Sequence, residues 1–194
     1  IENPLVLTGG TNGAFGEFEA NSEGGLSKVK QKVPGGVIGL TGLTWLLEFF
    51  GSDALTLYAT TELAGIPSNF TFSSVTLPIK VHLETPSGVL GNSCYIGSNT
   101  SPIVLNNITG TTSPPAPNKP ITGKEGEFKE ENEIVYFSNG IYVDNSFAAP
   151  GANGCKLVLF GFIPISLNSF VNSQSGLPSP AGTNEVKQEI DIEI

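Results

Sequence analysis

His82 is the only histidine in the 194-residue chain, so any Ser–His–Asp or Cys–His arrangement must be built on it. It stands in Leu77-Pro-Ile79-Lys-Val81-His-Leu83-Glu, an alternating stretch that puts Lys80, His82 and Glu84 on one polar face. A histidine in that setting is expected to be a solvated strand residue rather than a proton shuttle. Other reactive signatures are missing: there is no Gly-x-Ser-x-Gly elbow, no Gly-x-Gly pair, no P-loop and no EF-hand loop. Acids total 18, which leaves room for a glycosidase-type carboxylate pair; Glu48, Asp53 and Glu62 are the ones on or near apolar segments. Isolated surface acids are far commoner than catalytic ones. No catalytic residue and no cofactor is therefore assigned, and the chain reads as a non-enzyme.

The two cysteines carry the next question. A metal centre would need two ligands beyond Cys94 and Cys155, with His82 as the only imidazole, so no metal is assigned. Each cysteine follows small polar residues or glycine, in Gly-Asn-Ser-Cys94-Tyr and Ala-Asn-Gly-Cys155-Lys. In an exported protein such a pair most often forms one disulfide. Closing a loop of about 60 residues contributes on the order of 4 kcal/mol in the chain-entropy view. The chain begins at Ile1 and contains no Met, as expected for a protein whose secretory leader has been cleaved. The expected location is extracellular, at the cell surface.

Aromatic side chains could serve as a ligand platform. Trp45, Tyr58 and Tyr95 are the first candidates, with Tyr136 and Tyr142 behind them. Trp45 lies in the most apolar segment, where core packing is the default. Asn69-Phe-Thr and Asn107-Ile-Thr match the glycosylation pattern, which matters only in a suitable host.

The elements that must hold these residues have a period of two rather than 3.6. Leu55 to Leu63 alternates over its whole length, with Thr56, Tyr58, Thr60 and Glu62 on the polar side. Further strands are readable at Leu5–Thr8, Gly16–Ala20, Phe70–Ser73, Leu77–Glu84 and Ile103–Asn107. Glu133–Ser138 and Ile141–Asp144 flank Asn139-Gly140, the strongest hairpin signal in the chain. Lys156–Phe162 is nearly continuous in apolar character, as expected for a strand buried on both faces. One short helix is expected, because Leu43, Leu46, Leu47 and Phe50 repeat at helical spacing with Gly51 as C-cap; a Gly-bent strand from Val37 to Trp45 is the alternative.

Thr109 to Pro120 is a proline-rich connection that should run extended over one domain, and Gly123 to Glu133 is a mixed-charge solvated stretch. Short strands with frequent turn signals predict an all-β fold. The expected form is a single β-sandwich spanning 1–194, jelly-roll-like or Greek-key, with at most one short helix and a long proline-rich loop.

The chain ends in Val186-Lys-Gln-Glu-Ile190-Asp-Ile192-Glu-Ile194, an amphipathic strand where polar, frayed residues are usual. Such a strand closes its own subunit's sheet, or completes a neighbour's by strand addition. On the second option Val186, Ile190, Ile192 and Ile194 are the intersubunit residues, and the partner is another copy of the chain.

Net charge is −9, and all nine basic residues are lysines. An acidic chain without arginine is a poor ligand for nucleic acid or anionic membranes. No apolar run reaches the roughly 20 residues of a transmembrane helix; Val37 to Phe50 comes nearest and is interrupted by Gly39, Thr41, Gly42, Thr44 and Glu48.

Several stretches carry a family likeness. They are Leu77-Pro-Ile-Lys-Val-His-Leu-Glu, Ser93-Cys-Tyr-Ile-Gly-Ser, Ile103-Val-Leu-Asn, Thr109-Gly-Thr-Thr-Ser-Pro-Pro-Ala-Pro-Asn-Lys-Pro-Ile-Thr-Gly and Val143-Asp-Asn-Ser-Phe-Ala-Ala-Pro-Gly-Ala-Asn-Gly-Cys. In these, mainly over 77–155, the chain resembles secreted actinobacterial proteins without an assigned activity. The resemblance implies export by a signal peptide, supports pairing Cys94 with Cys155, and supplies no catalytic residues.

Two functions are expected on these grounds. The first is a non-enzymatic extracellular structural protein, a self-assembling subunit of a filament, appendage or coat joined by strand addition. The alternative is a monomeric secreted domain binding carbohydrate, such as a cell-surface polysaccharide, or lipid through Trp45 and the tyrosines.

Overall fold

A computed structural model describes residues 6–8, 25–159 and 162–193. The expected strand at 16–20 and the terminal Ile194 lie outside the described residues. In chain order the first elements are β1 (Leu7–Thr8), β2 (Gly25–Leu26), β3 (Lys30–Val33), α1 (Gly36–Thr41), α2 (Leu46–Ala54), β4 (Leu57–Leu63), β5 (Ser68–Thr71) and β6 (Ser74–Glu84). There follow β7 (Cys94–Ile96), β8 (Ile103–Ile108), β9 (Glu127–Glu131), β10 (Ile134–Asp144), β11 (Ala152–Asn153), β12 (Lys156–Leu159), β13 (Ile163–Ser166), α3 (Asn168–Ser175) and β14 (Val186–Glu193). The protein is all-β. The named strand pairings are antiparallel and helix is confined to three short segments, two more than the sequence predicts.

The chain divides into two compact units, each assembled from separated stretches. The first comprises the described residues of 1–65, 79–102 and 150–178; the second comprises 66–78, 103–149 and those of 179–194. The strand β6 crosses from one to the other at Pro78.

In the first unit β3 pairs with β4, β4 with the end of β6, β6 with β7, and β7 with β11. The pleat turns one set of side chains toward the helices, although Thr60 on the opposite face of β4 is buried as well. Leu57, Leu83 and Cys94 are buried in one apolar cluster with Val37 and Leu40 of α1, Leu46 of α2, and Leu167 and Val171 beside or within α3. Each large apolar side chain buried this way contributes about 1.5–3 kcal/mol. Helix α1 turns Val37 and Leu40, three residues apart, to the core, and glycines end or interrupt α1 and α2. Gly42 ends α1 at φ 72° with its N–H donating to Ile38 O, and Gly51 (φ 71°, ψ 169°) interrupts α2 at the expected C-cap position. Leu47, expected on the buried face of that helix, is exposed; Leu46 is the residue that reaches the core.

Two other segments depart from their expected form. Lys156–Phe162 is not one doubly buried strand: β12 pairs with β13 as a ribbon, with Leu157 buried and Lys156 and Phe162 exposed. Asn139-Gly140 is not a hairpin turn, because β10 runs straight through it. Asn139 takes φ 58° and the β10–β14 register shifts between Phe137 and Gly140, which is the signature of a β-bulge. The hairpin lies one step earlier, where Asn132 (φ 54°) and Glu133 (φ 67°) join β9 to β10 inside the charged stretch. Both central residues of a type I′ turn need positive φ, and these two have it.

In the second unit β10 is flanked by β14 along one edge and by β9 and β8 along the other. The proline-rich connection is pinned by Asn118, whose Nδ2 donates to the carbonyls of Asn145 (2.8 Å) and Asn184 (2.7 Å). Val186 pairs with Asp144, Ile190 with Gly140 and Ile192 with Phe137. The terminal strand thus pairs within its own chain.

Candidate functional site

The pleat that sends Leu57, Leu83 and Cys94 into the core sends their neighbours to the opposite face of the first unit's sheet. Register places Tyr58 beside Glu84, Thr60 beside His82, Glu62 beside Lys80, and His82 beside Tyr95. Directly opposed residues share a face, so these side chains form one polar patch.

Their contacts are dense. The His82 and Tyr95 rings stack at 4.4 Å with 12° between planes. The His82 Nε2 donates to the Asn92 carbonyl at 3.2 Å, leaving Nδ1 facing Glu62 Oε1 at 3.8 Å. Lys80 Nζ stands 3.6 Å from Glu62 Oε2, donates to Asn99 Oδ1 at 2.9 Å, and lies 5.4 Å from the Tyr95 ring centroid. Glu84 pairs with Lys30. Burial, and after it the nearby carboxylates of Glu62 and Glu84, hold the Tyr95 phenol above its ordinary value, since both effects oppose the phenolate. The His82 side chain is 16% exposed, on the expected polar face but half-buried, with Tyr95 stacked on it from directly across the ladder.

Beside this patch an open cleft of about 740 Å³ is lined by Lys30, Tyr58, Glu84, Thr85, Ser87 and Asn92 among others. It offers an aromatic ring, an ion pair, hydroxyls and an amide. Two of the platform candidates, Tyr58 and Tyr95, are thus on one sheet face. Trp45 is not with them. It precedes α2, which packs on the sheet's other face through Leu46, and its ring meets Phe49 edge-on at 6.0 Å. Nor is it core, being 43% exposed.

The three acids weighed for hydrolysis are distributed in the same way: Glu62 sits in the polar patch, whereas Glu48 and Asp53 are exposed on α2. Among the described residues no three His, Cys, Asp or Glu side chains gather as a metal-binding group, and no helix is long and apolar enough to cross a membrane.

Cys94 and Cys155 form a disulfide within the first unit, with Cα atoms 4.0 Å apart and both residues fully buried. Helix α3, which the sequence does not announce, holds the Cys155 segment. Asn168 Oδ1 accepts from Cys155 N (2.9 Å) and Asn172 Oδ1 from Ala152 N (2.6 Å). The two sequons differ sharply, since Asn69 is exposed and Asn107 is entirely buried on β8. In the second unit Tyr142 is buried with its hydroxyl donating to Thr71 O at 2.9 Å, and that burial raises its phenol above the ordinary value.

Sequence reasoning named Tyr58 and Tyr95 but missed Lys80, Glu62, Asn92 and Asn99 as their surroundings. The polar alternation of β4 and β6 is visible in the sequence; the register that aligns Glu62 with Lys80 is not. No protein-family model, curated protein or solved structure matches this chain.

Proposed function

We propose that this protein is a non-enzymatic extracellular binding protein that takes a neutral saccharide in the cleft beside Tyr58. One observation carries the reading: the polar face of the first unit's sheet gathers tyrosine rings with a charge-balanced set of donors and acceptors. At the cleft itself Lys30 stands against Glu84. Sugars present C–H faces that pack on aromatic rings and hydroxyls that need both donors and acceptors. A balanced site favours an uncharged ligand over an anionic one. The disulfide and the absence, among the described residues, of a membrane-crossing helix are compatible with an extracellular location.

The test is calorimetric titration with neutral oligosaccharides, chosen from a glycan array. Tyr58→Ala should weaken binding at least about tenfold, or about 1.4 kcal/mol, with unchanged circular dichroism. Absence of binding to any neutral glycan, or undiminished binding by the variant, overturns the reading.

Self-assembly is the second reading. It is favoured by the position of β14, which ends the strand order with its outer backbone edge carrying no β partner among the described residues. Such an edge is a template for a second chain. Light scattering should then give a mass that rises with concentration; a constant monomer mass removes this reading.

A further inference from the structure

The environment of the Lys80 amine goes beyond what a binding surface requires. Cross-strand pairing sets Glu62 opposite Lys80, with the carboxylate 3.6 Å from Nζ. Asn99 lies in the tight turn Ser98–Ser101, closed by reciprocal backbone hydrogen bonds of 3.0 and 3.2 Å, and its Oδ1 accepts from the same Nζ at 2.9 Å. The Tyr95 ring stands over the amine. The Lys80 and Glu62 side chains are 20% and 15% exposed, whereas Asn99 is exposed. A primary amine, a carboxamide and a carboxylate are therefore preassembled, with the amine hydrogen-bonded to the oxygen that the amide carbon carries.

We propose that Lys80 and Asn99 become joined by a side-chain amide. The neutral Nζ attacks Asn99 Cγ while the Glu62 carboxylate takes its proton. The new Nζ–Cγ bond forms, the Cγ–Nδ2 bond breaks, and Glu62 returns the proton to the departing nitrogen. That nitrogen leaves as ammonia into the solvent that reaches Asn99. Nothing is oxidised or reduced, and Glu62 ends as it began. Holding the reactants in place replaces an encounter in solution by an intramolecular step, the condition under which an otherwise inert amide reacts with an amine. The product ties β6 to the turn after β7, a second covalent staple in the unit that holds the disulfide. It does not depend on the saccharide reading.

The experiment is the intact mass of the purified wild-type protein. The expected value is the sequence mass less two hydrogens for the disulfide and less one ammonia. Proteolysis should release a branched peptide containing both Lys80 and Asn99. Lys80→Arg should restore the ammonia, because a guanidinium stays charged and cannot attack. Glu62→Gln should restore it too, and a deficit that persists there removes Glu62 from the step. A wild-type mass explained by the disulfide alone overturns the proposal. So does a deficit that survives Lys80→Arg, which would place the loss at succinimides of Asn139-Gly140 or Asn153-Gly154.

Discussion

Replacing both Cys94 and Cys155 by Ala is expected to lower the unfolding free energy by about 4 kcal/mol, read as a fall in the urea midpoint. The sequence separation is 61 residues, so the unfolded chain regains the entropy of a long open loop. For a chain of this size, total stability is on the order of 5–15 kcal/mol, and one bond of that size is a large share of it. Both cysteines are fully buried within the apolar cluster of the first unit. Removing the sulfurs therefore also leaves a small cavity, which adds to the loss. Burial has a kinetic corollary: a reductant should leave the bond intact under native conditions and open it once urea exposes it. Chain geometry limits repair, because a Cβ on Gly154 (φ 70°) would come within 2.0 Å of Ser93 O. A loss below about 1 kcal/mol would show that the Asn168 and Asn172 hydrogen bonds alone hold this segment.

How far the fold was legible depended on which physical signal each element uses. The sequences of β4, β6 and β8 alternate apolar with polar residues, so alternation announces them within three residues of their observed limits, and in β8 burial follows the same alternation. Asn139-Gly140 misled because a strong turn dipeptide also suits a bulge. A Cβ on Gly140 would sit 2.3 Å from the Phe137 ring, so this glycine is required by packing and not by a turn. The real turn at Asn132-Glu133 hides in a run of charges, since glutamate is a poor emblem of positive φ. Helix α3 has one buried apolar residue, Val171, and Asn168, Ser169, Asn172 and Ser173 among its other residues. Its order comes from Asn168 and Asn172 binding the backbone of 152–155, a tertiary cause that no local pattern records.

The site was legible in its residue types and opaque in its grouping. Composition nominated Trp45, Tyr58 and Tyr95 together, yet the sheet separates Trp45 from the tyrosines because α2 covers the apolar face. The strand of His82 alone points to a solvated residue. Its partial shielding comes from Tyr95 across the ladder, and cross-strand partners are set by loop length and register. The terminal strand shows the same limit: alternation announces β14, and only the ladder identifies β10 as its partner.

Phe137→Ala is expected to cost about 3–5 kcal/mol, the range for emptying a buried aromatic site. Phe137 is 1% exposed and lies 5.8 Å from the Phe72 ring and 5.0 Å from that of Phe128. Two glycines frame it. A Cβ at Gly126 would come 2.7 Å from the ring and one at Gly140 2.3 Å, so both backbones lie directly against the aromatic edge. Backbone in that position belongs to the β10–β14 bulge and to the approach of β9, and it cannot collapse inward without breaking ladder hydrogen bonds. The void therefore stays open, which places the loss at the upper end of the range. With roughly 2–4 °C per kcal/mol for a chain of this length, the melting temperature should fall by on the order of 10 °C. Phe128→Ala is the control. That ring is 60% exposed and contributes mainly its edge contacts, worth about 0.5–1.5 kcal/mol each. Equal losses in the two variants would mean that the three rings act through mutual contact alone. A loss at Phe137 several times larger would locate the second unit's stability in the ring wedged between its glycines.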